Sequence, residues 1–146
     1  ITSLSYMTIE AIHAIKELKK IGISCDLIDL RSTSPMDWRK IYNSVNKTGN
    51  LLALDSSSGS FSVASEIVAR VAMNCYDSLK SSPKILALED MPSPTSFGLT
   101  DKYYIGAKEI FDNVLNMLGK KTIDTSEKFI KDHPHDIPGN WFKGPF

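Results

Sequence analysis

Apolar residues along this chain fall into two alternating patterns, short runs that suit buried strands and longer stretches spaced for one face of a helix. The first run, Ile1-Thr2-Ser3-Leu4-Ser5-Tyr6, reads as a strand. Thr8 is then placed to cap a helix in which Ile9, Ile12, Ile15 and Leu18 mark the apolar face, and Lys19, Lys20 and Gly22 supply C-terminal charge and a stop. A second strand is expected over Cys25 to Leu30, with Pro35 closing its turn and Asp37 capping a helix that carries Trp38, Ile41, Tyr42 and Val45 as far as Gly49. Leu51-Leu52-Ala53-Leu54-Asp55 is a continuous apolar run ended by an acid, the pattern of a central parallel strand covered on both faces.

Ser56 to Ser60 reads as a small flexible loop in which Gly59 supplies a tight turn. Beyond it, Ala64, Ile67, Val68, Val71, Ala72, Cys75 and Leu79 trace a long buried helix. Lys84 to Leu88 make a fourth strand, and Ala107, Ile110, Phe111, Val114, Leu115 and Leu118 form a last amphipathic helix. The order βαβαβαβα predicts an α/β domain, with a largely parallel sheet of four strands between two helical layers and right-handed crossovers. From Thr122 the periodicity fades. The domain is therefore expected to occupy residues 1–121. Residues 122–146, rich in Pro and Gly yet aromatic, read as an extended arm that docks through Trp141, Phe142 and Phe146.

Composition narrows the function classes. With 146 residues, 42% of them hydrophobic, the chain can bury a real core. Seventeen basic and seventeen acidic side chains balance without a block of like sign, which gives no support to a nucleic-acid or anionic-membrane partner. No apolar run approaches the ~18 residues of a membrane span and no secretory leader pattern is visible, so a soluble intracellular protein is expected, in the cytoplasm or in an organelle matrix such as the mitochondrion. Cys25 and Cys75 stand far apart and read as reduced core-filling thiols. The chain opens at Ile1 without an initiator Met, which suggests a fragment of a longer polypeptide.

The run Ile28-Asp29-Leu30-Arg31, followed by Pro35 and Asp37, resembles the I-D-L-R-[TS]-x-x-P-[LM]-D motif in the C-terminal domain of thiamine-dependent 2-oxo acid dehydrogenase beta subunits, within the transketolase C-terminal family. Further motifs follow in the family's order. Ile1 to Tyr6 is similar to V-T-I-V-S-Y, although Met7 stands where many members have Gly. Lys47-Thr48-Gly49 with Leu51 to Asp55 resembles K-T-G-x-L-L-x-x-D, and Gly59 to Ile67 resembles G-x-F-x-x-E-I, with Phe61 and Glu66 in matching places. Asp90, Pro92 and Pro94 resemble D-x-P-x-P, and Leu99 with Tyr103 or Tyr104 fits the L-x-x-x-Y that follows.

This resemblance implies a three-layer domain whose antiparallel edge strand would precede Ile1. It also implies a parent enzyme that binds thiamine diphosphate and magnesium in an upstream domain and an alpha subunit, so this fragment is expected to bind neither and to hold no catalytic residue. The implied partners are a second beta subunit in a homodimer, an alpha subunit and the acyltransferase core of a multienzyme complex.

Read from the residues alone, the chemistry is sparse. If the first and third strands are central neighbours, a ligand crevice would lie beyond their C-terminal ends, at Tyr6, Thr8, Asp55, Ser56, Ser57 and Gly59. A free-standing small-ligand regulatory domain using that crevice is the alternative function, and the serine-rich loop before a helix could hold an anion. Asp55 sits where a receiver domain carries its phosphoacceptor, yet such domains need paired acids after the first strand and here Tyr6-Met7-Thr8 stands. Arg31 and Asp29 could bracket the following loop at a subunit contact. His133 and His135 lack further ligands in sequence, so no metal site is expected.

Overall fold

The computed structural model describes residues 1–100, 102–129 and 134. Four strands, β1 (Thr2–Ser3), β2 (Ile28–Asp29), β3 (Leu52–Ser58) and β4 (Lys84–Leu88), form one sheet in the order β2-β1-β3-β4, with all neighbours parallel. Among the described residues five α-helices accompany them: α1 (Tyr6–Lys20), α2 (Trp38–Thr48), α3 (Val63–Asn74), the short α4 (Phe97–Thr100) and α5 (Ala107–Met117). The expected α/β fold with a four-stranded parallel sheet is the one observed. The strand order reverses between β1 and β3, so α1 and α2 are laid on opposite faces.

Each face has its own core. Met7, Ala11, Ala14 and Leu18 of α1 pack with Ile110, Phe111 and Leu115 of α5 against Leu52 and Leu54. Ile41 and Val45 of α2 pack with Ile67, Val71 and Cys75 against Ile28, Leu30 and Leu51 on the other side. Leu51 and Leu52 serve opposite cores because adjacent residues of a strand project to opposite faces. α2 has the boundaries its sequence announces. The Asp37 carboxylate accepts from Lys40 N at 3.1 Å, and Gly49, at φ 78°, closes the end by donating to Val45 O. Over the same layer, the Arg70 guanidinium lies 4.5 Å from the centre of the Trp38 ring, which stacks on Tyr42.

Several boundaries differ from expectation. α1 starts at Tyr6 rather than beyond Thr8, because Met7 and Thr8 already donate to Leu4 O and Ser5 O. Its residue before the first turn is Ser5, at φ 49°, and the Thr8 hydroxyl is drawn to the sheet instead of capping. The buried stripe of α1 is Met7-Ala11-Ala14-Leu18, whereas Ile12 is 40% exposed; the small alanines let the helix approach α5 and the sheet closely. β3 runs on to Ser58, through residues expected as loop, because Ser58 regains pairing with Leu88 after an irregularity. The left-handed conformation in the following turn falls on Phe61, at φ 54°, not on Gly59. α3 ends at Asn74, and a 3-10 turn over Tyr76–Ser78 carries the chain to Leu79.

Beyond α5, a 3-10 turn over Ser126–Phe129 brings the Phe129 ring to 5.7 Å from Phe111, and Thr125 is buried. The proposed anchors Trp141, Phe142 and Phe146, and the pair His133 and His135, lie outside the described residues. No described helix is long and apolar enough to cross a membrane.

Candidate functional site

The C-terminal ends of β1 and β3 form the switch point where an open parallel sheet offers a crevice. Two non-glycine residues at positive φ, Ser5 and Phe61, mark the loops on its two sides. A bulky residue in that conformation is uncommon and costs of order 1 kcal/mol. Phe61 is also fully exposed.

On the β1 side, the Thr8 hydroxyl lies 2.9 Å from that of Ser3 and donates to Asp29 at 3.1 Å, joining the start of α1 to the end of β2. Arg31 pairs with the other oxygen of Asp29 at 2.5 Å, a local ion pair at the end of β2. The Arg31 side chain is 88% exposed, and such a pair adds about 0–1 kcal/mol. Tyr6 is half-buried and its hydroxyl donates at 2.9 Å to Glu10, whose second oxygen accepts from Ala107 N at 2.8 Å. Burial, and then the Glu10 carboxylate, push the Tyr6 phenol well above its ordinary value. Glu10 thus ties the first turn of α1 to the first turn of α5. It was not singled out by sequence; the available signal was an acid on the stripe shared with Met7, Ala11 and Ala14.

On the β3 side, Asp55 is buried and accepts three bonds from its own chain, from Ser57 N at 3.0 Å, Ser57 Oγ at 2.8 Å and Ala64 N at 3.2 Å. The Ser62 hydroxyl accepts from Ser65 N at 3.1 Å. Two donors at the start of α3 are therefore engaged from within, and the negative charge that a helix N-terminus favours is supplied by Asp55 itself. Ser56 and Ser57 are exposed, while Gly59 N donates to Leu88 O at 3.3 Å. Ser60 donates to Asp90, and this hydroxyl, followed by that of Ser58, holds the Asp90 carboxyl below its usual range. The β3–α3 and β4–α4 loops are thereby joined.

Tyr6 and Thr8 follow the end of β1, and Asp55, Ser56, Ser57 and Gly59 lie at the end of the neighbouring β3, on the two sides of the switch point. Each described carboxylate between them is committed to holding a loop or a helix start, an arrangement that suits a rigid surface better than proton transfer. Elsewhere, Cys25 is half-buried and Cys75 buried, and burial raises both thiols, which disfavours the nucleophilic thiolate. Among the described residues no three His, Cys, Asp or Glu side chains are grouped to hold a metal ion. A cavity of about 260 Å³ opens at the opposite, N-terminal end of the sheet, between Ile1, Cys25, Thr48, Leu52, Val114 and Met117.

Comparison with known proteins gives a family match over residues 1–110, to the model described as transketolase, C-terminal domain. The chain is 33% identical over 110 residues to the acetoin:2,6-dichlorophenolindophenol oxidoreductase subunit beta of Cupriavidus necator, covering 75% of this chain and 32% of that protein. It is 35% identical over 104 residues to the pyruvate dehydrogenase E1 component subunit beta of Rhizobium meliloti, covering 71% of this chain and 23% of the relative. The chain thus spans about a third or less of the length of these curated relatives. Among solved structures, a chain titled split gene transketolase, inactive beta4 tetramer, superposes with a TM-score of 0.68 at 22% identity, over 83% of this chain and 38% of that one, a likeness of fold.

Proposed function

The chain belongs to the transketolase C-terminal domain family, and from that premise we propose that it acts as the C-terminal assembly domain of the beta subunit of a thiamine diphosphate-dependent 2-oxo acid dehydrogenase, an oxidoreductase of the pyruvate dehydrogenase kind. The observation that carries this reading is the identity shared with two beta subunits, that of the acetoin oxidoreductase over 75% of the chain and that of the pyruvate dehydrogenase E1 component over 71%. The switch point supports it, since its polar groups fix loops and leave a rigid surface. The partners are then a second beta subunit, an alpha subunit and the acyltransferase core, and the compartment is the cytoplasm or an organelle matrix.

Thiamine diphosphate and magnesium do not fit the described residues. A diphosphate-bound magnesium ion wants carboxylate and carbonyl oxygens free to face it. Here Asp29 is held by Thr8 and Arg31, and Asp55 by Ser57 and Ala64 N. The cofactor and the choice of 2-oxo acid are assigned to other parts of the parent enzyme, and the chemistry belongs to the cofactor. Residues 1–121 are assigned to the assembly domain and 122–146 to an arm anchored by Trp141, Phe142 and Phe146, with Arg31 at the rim of a subunit contact.

The test is turnover by the 146-residue chain supplied with thiamine diphosphate, magnesium and pyruvate or a branched-chain 2-oxo acid. No release of carbon dioxide above the protein-free control is expected. Cofactor-dependent release would contradict the assignment of an assembly role.

A further inference from the structure

Among the described residues, the two edges of the sheet are unequal. β2 is an edge of two residues, whereas β4 extends over five, Lys84-Ile85-Leu86-Ala87-Leu88, with neither Pro nor charge after Lys84. Exposed edges are ordinarily blunted by such residues or by a covering segment, because their unpaired N–H and C=O groups are a template for another strand. Lys84 N donates to Leu51 O and Leu88 O accepts from Gly59 N, so these ends face β3. Alternation along the strand turns the N–H and C=O of Ile85 and Ala87 outward. Ile85 is 37% exposed, and Leu86, Ala87 and Leu88 are only partly buried.

The charges around this edge are self-complementary. Lys84 stands at one end and Glu89 and Asp90 at the other. An antiparallel pairing of two copies about Ala87 sets Lys84 opposite Asp90, Ile85 opposite Glu89 and Leu86 opposite Leu88, each twice by symmetry. Ala87 would exchange both backbone bonds with its counterpart, and the outward groups of Ile85 would reach Glu89 just beyond the end of β4, where the Glu89 carbonyl also accepts from Met91 N at 2.8 Å. A parallel pairing would instead stack like charges. The fully exposed Phe61 lies at the C-terminal end of β4, because its neighbour Ser60 is bonded to Asp90. A covered aromatic of this size buries about 150–250 Å².

We propose that β4 is a self-pairing edge, through which two copies of this chain join antiparallel across a two-fold axis into one continuous sheet. The inference rests on the assembly role proposed above and names the surface that performs it. An isologous contact of this kind closes on itself and does not propagate into a filament.

The experiment uses the full chain at high micromolar concentration, with sedimentation velocity reporting mass and mild oxidation reporting register. Residues that exchange backbone bonds in an antiparallel pair have Cα atoms about 5.5 Å apart, within the ~4.4–6.8 Å a disulfide needs. Ala87→Cys should therefore cross-link into a covalent dimer beyond the background of the unmodified chain with its own Cys25 and Cys75. Ile85→Cys, which faces Glu89, should not. Lys84→Glu puts like charges opposite one another twice and should weaken association roughly tenfold at low salt, an effect that added salt should erase. A dimer that ignores the charge swap and fails to cross-link at position 87 overturns this edge while leaving two-fold assembly through another surface intact. A strictly monomeric chain overturns the pairing at this edge and the two-fold part of the proposed function together.

Discussion

Replacing Asp55 by Ala should be among the most damaging single changes on the β3 side of the crevice, because this carboxylate holds the β3–α3 connection from inside the fold. It is 6% exposed and accepts from Ser57 N, Ser57 Oγ and Ala64 N. Ser57 is exposed, so water can take its two donors and little is lost there. Ala64 is 1% exposed, and its N–H would be left without a partner at a cost of about 1–3 kcal/mol. The lost charge-assisted bond and the lost favourable charge at the start of α3 bring the expected destabilisation to roughly 3 kcal/mol. With a urea m-value of about 2 kcal/mol/M, the midpoint should fall by about 1.5 M. Asp55→Asn keeps an acceptor and should lose less than the alanine variant. Urea titration followed by circular dichroism reads both. If Asp55→Ala shifts the midpoint by less than a few tenths molar, the carboxylate does not secure this turn.

Phe111 is 1% exposed beneath Phe129, so Phe111→Ala should cost about 3–5 kcal/mol, read as a lowered thermal midpoint; a loss under 1 kcal/mol would mean that the α1–α5 layer is loosely packed. The Lys47 ammonium, followed by the Ser44 hydroxyl, holds the Asp26 carboxyl below its usual range. That stabilisation is present above the unfolded aspartate value of about 3.9 and is lost as pH falls through the lower folded value. Lys47→Met should accordingly flatten the acid limb of melting temperature against pH, and an unaltered limb would rule out the pairing. Tyr6 titrates in the opposite sense. Its raised folded value makes its contribution present below about 10 and lost as pH rises towards the folded value. Tyr6→Phe should flatten the alkaline limb, and ultraviolet absorbance should show one phenol fewer ionising late; an unchanged titration would exclude the bond to Glu10.

Much of the fold was legible because local chemistry and tertiary structure agree. Asp37 and Gly49 bound α2 in sequence and in space, and Lys84 to Leu88 is the fourth strand in both. Disagreement arose where a partner distant in sequence decides. Serines 56–58 have little preference for a strand, yet the ladder with β4 holds them extended. The isoleucines of α1 outweigh its alanines in hydrophobicity, but close approach to α5 selects the alanines for the core. The alternation of strands and helices pointed to a switch point between the first and third strands, and β1 and β3 are neighbours in the sheet. How the residues there are used was not legible. The bonds from Asp55 to Ala64 N and from Glu10 to Ala107 N join positions that no local spacing links. The positive φ of Phe61 has no signature in a residue type that ordinarily avoids it.

The assembly role is tested most directly by transplanting residues 1–121 in place of the corresponding domain of the Cupriavidus necator subunit beta and assaying acetoin-dependent reduction of 2,6-dichlorophenolindophenol with that enzyme's partner subunit. A chimera that assembles and retains turnover, with KM for acetoin unchanged, is the predicted result. A chimera that folds with a cooperative melt but neither assembles nor turns over would contradict the account.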